Sequence, residues 1–266
     1  MIRIDWPQVA AHFRQPLRIG LVLAWGLLAS PVIMAAAVAR IGLPAGLDHA
    51  VVVWSASPTL ISAPALAFLL GLDGSLALIA MVLGSLLMPL TLPPIVLGLL
   101  GVRLAIGIPA LMIRLVLFIG GAVLVAALAR RVLGPRRIAR RAGEINGFNV
   151  LLLMVFAIAI MEGVPQLWAS RPHELLLYAA AALAAALAEQ LIGTLVFLRC
   201  GRVPGLTVGM ICGNRNMASV WASLGALAPP ELTLFLVTVQ LPIYILPIAL
   251  RPVYRALAPK RCSGAR

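Results

Sequence analysis

Runs of about 20 apolar residues, separated by short clusters of glycine, proline and arginine, recur along the whole chain. A helix rises about 1.5 Å per residue and the hydrocarbon core of a bilayer is about 30 Å thick, so one such run makes one crossing. On that measure the pattern predicts eight spans, at about 17–40, 49–71, 74–101, 107–129, 146–165, 174–198, 203–227 and 231–254. Their ends carry helix breakers: Gly42-Leu43-Pro44, Gly71-Leu72-Asp73-Gly74, Gly134-Pro135, Arg171-Pro172 and Pro229-Pro230. The expected class is an all-α polytopic membrane protein.

Composition agrees with the pattern. Of 266 residues, 62% are hydrophobic and 11% charged, against about 45–50% and about 25% in soluble domains. Disorder and nucleic-acid binding are excluded on those grounds. The formal charge of +13 changes the picture only through its placement. Sixteen lysines and arginines fall on one side of the eight spans, in clusters such as Arg130, Arg131, Arg136, Arg137, Arg140 and Arg141. Only Arg40, Arg103 and Arg171 fall on the other, and Arg114 and Arg215 lie within spans. This asymmetry predicts a multi-pass protein of the plasma (inner) membrane with both termini cytoplasmic. The first span is longer than the apolar region of a signal peptide and is expected to be retained. Cys200, Cys212 and Cys262 are too scattered for a disulfide framework or a metal site, so neither metal nor cofactor is expected. No nucleophile–base spacing is visible, and an enzyme is not expected. Trp6, Trp168 and Trp54 read as interfacial anchors, and Arg114 as a snorkelling side chain.

Two spans cannot run straight. The second holds Ser57-Pro58-Thr59-Leu60-Ile61-Ser62-Ala63-Pro64, whose two prolines remove backbone donors and crowd the preceding turns. The seventh holds Gly213-Asn214-Arg215-Asn216 in the middle of an apolar run. An arginine at the bilayer centre costs about 2.5–3.5 kcal/mol on insertion scales. Backbone freed from a helix at that depth is tolerated only inside protein or against a water-filled cavity. Pro58, Pro64 and Gly213 are therefore expected to break their helices. Each broken span precedes a helix with a proline pair: Pro89 and Pro93 in the third, Pro242 and Pro247 in the eighth. Spans one to three thus recur as spans six to eight in the opposite orientation, and the two broken helices are expected to cross. Discontinuous helices at matching places of inverted repeats point to the central site of a secondary transporter.

These stretches resemble the bile acid:sodium symporter family. Trp54-Ser55-Ala56-Ser57-Pro58, then Gly71-Leu72-Asp73, then Leu86-Leu87-Met88-Pro89-Leu90-Thr91-Leu92-Pro93 are similar to its fourth and fifth helices; Gly213-x-x-Asn216 is similar to its ninth. The resemblance covers nearly the whole chain. It implies a core of two three-helix units with crossing broken helices, beside a panel of four helices of which only two have counterparts here. The organisation expected is 1–16 an interfacial segment, 17–101 the first core triplet, 102–172 a partial panel, 173–254 the second core triplet and 255–266 a basic tail. By the resemblance the family's cation ligands fall on Gly26, Ala63, Pro64, Ala77, Met81, Ile211 and Arg215. None of these supplies the side-chain oxygen a hard cation needs. Arg215 instead brings a fixed positive charge, which would replace the ion.

Glu189 is the other intramembrane charge: paired with Arg215, its natural partner, it would be structural, and unpaired it could carry a proton. The function expected is alternating-access transport of small or amphipathic organic anions. Ser57, Thr59, Ser62, Asn214, Arg215, Asn216 and Ser219 would contact the substrate. The alternative is a non-transporting membrane subunit that binds a partner through an incomplete panel face. Besides the lipid bilayer, a second copy or a helper subunit stays open as a partner.

Overall fold

The computed structural model describes residues 16–99, 101, 105–162 and 164–257. The interfacial segment expected within 1–16 and most of the basic tail lie outside the described residues. The described chain is helical, with one isolated β-bridge as its exception. Five stretches are long and apolar enough to cross a membrane: Pro16–Ile41 (α1), Gly74–Gly98 (α4), Ile108–Ala129, Pro172–Cys200 and Pro230–Ala249 (α11). The third belongs to Ile108–Arg140 (α5), which kinks at Gly134, where φ is 72° ahead of Pro135. The fourth is Pro172–Phe197 (α8) with one tighter turn at its end. The protein is membrane-embedded by this composition.

The remaining apolar runs form shorter pieces. The expected second span is Leu47–Ala56 (α2) and Ala63–Leu69 (α3), and the expected seventh is Arg202–Cys212 (α9) and Met217–Leu224 (α10). The expected fifth span, 146–165, begins earlier, as Ala142–Ile160 (α6), and Pro165 then sits in the first turn of Val164–Ser170 (α7). The expected eighth span also ends early. Pro252 opens Arg251–Leu257 (α12), since a proline at the start of a helix loses no hydrogen bond. Pro64 corrects the sequence reading in the same way: it occupies the first turn of α3 and starts that helix rather than breaking it.

The core is split. One cluster joins α2, α10, α11, the second halves of α1 and α4, the start of α5 and the first half of α8, around Trp54 and Phe235. Trp54 is fully buried, its ring edge-on to Phe235 with centroids 6.2 Å apart, so it is a core residue and not an interfacial anchor. The other cluster joins α3, α9, the start of α4 and the end of α8. Between the two clusters lie the two helix breaks.

Helix α9 packs on α8 with almost no space between backbones. Gly205, Gly209 and Gly213 recur every four residues and so share one face of α9. A Cβ on Gly209 would overlap Thr194 Oγ1 and the Gln190 carbonyl, and one on Gly213 would overlap Gln190 Cγ. Small residues at this spacing let membrane helices approach to backbone contact. The N-terminus of α4 is tied to the same unit. Asp73 caps α4 by accepting from the N–H groups of Ser75 (3.1 Å) and Leu76 (3.0 Å), and its own N–H donates to Thr207 on α9.

Candidate functional site at the helix breaks

α2 and α9 have 10 and 11 residues, about 15 Å of helix each, half the thickness of a hydrocarbon layer of about 30 Å, and each ends at a break. There each break satisfies the other. The Leu60 N–H donates to the Asn214 carbonyl at 2.9 Å, and the Asn216 N–H to the Pro58 carbonyl at 2.7 Å. Thr59 and Arg215 are thereby paired as a single antiparallel bridge. A lone pair of reciprocal bonds takes the place of the helical bonds both segments give up.

Arg215 sits on this bridge and is 2% exposed. Its five N–H groups find five oxygens. Nε donates to the Cys212 carbonyl at 2.8 Å, and Nη1 to the carbonyls of Gly26 (2.9 Å) and Ser57 (3.3 Å). Nη2 donates to Ser30 Oγ at 2.9 Å and to Glu189 Oε2 at 3.4 Å. Ser30 completes the circuit, its hydroxyl 2.6 Å from each carboxylate oxygen of the buried Glu189. The structure therefore brings the expected charge pair together, with Ser30 between them. A guanidinium has five donors, so no N–H remains for a ligand.

One of these oxygens has an origin in the sequence that is easily overlooked. Within α1, residues Trp25–Ala29 form a wider turn, in which the Ser30 N–H reaches back five residues to the Trp25 carbonyl. In that register the next donor, residue 31, would serve Gly26. Residue 31 is proline and has no N–H, so the Gly26 carbonyl is left for Arg215.

The remaining expected contacts divide into used and unused groups. Ser57 Oγ donates within its own helix to the Val53 carbonyl, Ser219 Oγ to the Asn216 carbonyl, and Asn214 Nδ2 to the Met210 carbonyl. Asn214 Oδ1 is buried without a partner. Thr59 and Asn216 are buried at the bridge and Ser62 is exposed beside it. Gln190, next to Glu189, accepts from the Tyr254 hydroxyl at 2.8 Å and ties α12 to α8. The sequence reading missed Ser30 and Tyr254, since neither is unusual in an apolar helix, whereas Gly26 falls among the cation-ligand positions implied by the resemblance. It also misread Arg114, which donates to the Leu224 carbonyl at 3.0 Å, at the C-terminal end of α10, where a cation is favoured.

A cavity of about 20 Å³ adjoins the bridge, lined among others by Gly26, Thr59, Ile211 and Arg215. That is room for about one water molecule. No group of three or more His, Cys, Asp or Glu that could hold a metal ion occurs among the described residues. Compared with known proteins, the chain matches no family model, and no curated protein is significantly similar to it.

Proposed function

We propose that this chain is a secondary transporter working by alternating access, whose crossing point is the bridge between Thr59 and Arg215. The observation that carries the reading is the pair of discontinuous apolar helices bonded to each other at their breaks. Such pairs mark the central site of secondary transporters. In this reading the segments 17–101 and 173–254 are inverted repeats, the chain has eight spans with cytoplasmic termini, and it is related to bile acid:sodium symporters. Arg215 serves as a tethered cation. Its five oxygen partners include three carbonyls and a carboxylate, the donor types that hold a bound alkali ion.

The organic anion expected as substrate would not be bound by the guanidinium, whose donors are all engaged. Thr59, Ser62 and Asn216, with the N-terminal end of α10, are the groups left to meet it, once the crossing opens beyond one water. Proteoliposome uptake of radiolabelled small and amphipathic carboxylates tests this. Uptake should occur without sodium and fall at least tenfold in a Thr59→Val, Asn216→Leu double variant that still melts cooperatively. No uptake of any carboxylate, or uptake untouched by that variant, would reject the transport reading. A second reading, a non-transporting subunit, draws support from α5: only 11% of Ile108–Ala129 is buried, which leaves a broad apolar face for a partner.

A further inference from the structure

A groove of about 700 Å³ runs along the outside of the protein between α1 and α8. Its walls are apolar: Leu21, Leu28 and Val32 on one side, Val196 on the other, with Trp25 and Phe197 edge-on to each other between them, centroids 6.3 Å apart. From Leu21 to Ile33, both lining residues, α1 rises about 18 Å. Half of a hydrocarbon core is about 15 Å, so the groove is as long as one leaflet is deep.

The two ends differ in charge. Ser30 meets Glu189 and Trp25 meets Phe197, which sets α1 and α8 antiparallel. Following α1 two turns down from Trp25 reaches Arg18, on the same face as Leu21 and Trp25. Following α8 beyond Phe197 reaches Arg199, then Cys200, which lines the groove, then Arg202 at the start of α9. All three arginines are thus at one mouth, and Arg199 and Arg202 are exposed. At the other end the lining is Val32 and Ile33.

We infer that this groove holds an acyl chain of an anionic phospholipid, from the leaflet on the arginine-rich side, with the lipid phosphate at Arg18, Arg199 and Arg202. A tail-length apolar slot with three arginines in the chain segments at one end matches an amphiphile with one anionic end. A zwitterionic lipid offers the same tail but no net charge for the arginines. Each basic residue at a membrane surface strengthens binding of acidic lipid about fivefold. The inference rests on membrane embedding and not on transport.

Trp25 provides a local readout. The protein is reconstituted with lipids brominated along the acyl chain, and tryptophan quenching is compared with that of Trp25→Phe, so that the difference reports the groove. Brominated phosphatidylglycerol should quench Trp25 more strongly than brominated phosphatidylcholine at equal mole fraction and constant ionic strength. The difference should vanish in the Arg18→Gln, Arg199→Gln, Arg202→Gln variant, and quenching by either lipid should drop when Ala24→Phe fills the groove. Native mass spectrometry should show about a fivefold loss of retained acidic lipid for each arginine removed. Equal quenching by the two lipids, or a preference that survives loss of the arginines, would overturn the inference. So would a dimer that Ala24→Phe dissociates without any change in quenching, which would assign the groove to a second copy of the chain.

Discussion

Helices α4 and α5 differ little in hydropathy and greatly in how much of each is buried. Gly74–Gly98 has a mean hydropathy of 2.1 with 61% of its core window buried, whereas Ile108–Ala129 has 2.5 with 11% buried. Hydropathy reports that a segment can leave water; it says nothing about whether lipid or protein receives it. Specificity in the buried region comes from the few positions that are not apolar. Asp73 locks the start of α4 to α9, and the breaks either side of it bond to each other. Along α5, among the described residues, the one comparable link is Arg114 to the end of α10. The joined breaks are thus held by directional contacts, and most of α5 is not.

The contrast is broken most strongly at the charges. Glu189→Gln or Arg215→Gln alone leaves the partner buried and uncompensated and should cost about 3–5 kcal/mol, while the double variant should cost clearly less. Thermal melts in detergent measure this, and strictly additive losses would show that the pair is not coupled. Glycines give the next largest effect. Gly209→Ala should destabilise by about 1–3 kcal/mol, because its Cβ meets backbone that cannot move aside. Gly120→Ala and Gly121→Ala on α5, where a Cβ meets nothing within 4 Å, should be neutral or stabilise by up to about 1 kcal/mol. A destabilised Gly121→Ala would mean that the stretch of α5 around Gly121 also has a packing partner.

The effect of Pro31→Ala is smaller. It restores an N–H that competes for the Gly26 carbonyl, so Arg215 loses one of its oxygens, at a cost of about 1 kcal/mol. Exchange of sodium for potassium should have the least effect. A bound ion would raise stability by RT ln(1 + [Na⁺]/Kd), and with Arg215 already on those oxygens no difference in melting temperature is expected at constant ionic strength. A shift of several degrees in sodium would reverse the reading of Arg215 as the resident cation.

Much of this site is legible in the sequence, and for one reason. A proline, an arginine and a glutamate inside apolar runs are costly unless something compensates, so Pro58, Arg215 and Glu189 announce themselves. The compensating groups do not. Ser30 looks like any small residue of a membrane helix, and the Gly26 carbonyl is freed only by the wide turn ahead of Pro31. The four-residue spacing of Gly205, Gly209 and Gly213 was a readable sign that α9 lies against another backbone, though not that the backbone is α8. Trp54 shows the opposite failure. Tryptophan is common at membrane interfaces, and a statistical preference of that kind does not reveal that this one is wholly enclosed beside Phe235.

The order of synthesis gives the arginine cluster a further meaning. Gly26, Ser30, Ser57, Glu189 and Cys212 all precede Arg215 in the chain, Ser30 by 185 residues and Glu189 by 26. A ribosome building this protein therefore delivers every acceptor to the membrane before it delivers the donor. Arg215 is then the last piece of its own network, and the insertion cost of a lone arginine falls on a segment whose partners are already in place. Exchanging Arg215 and Glu189 would keep the charges and reverse that sequence of events, placing the unneutralised cation in the membrane first.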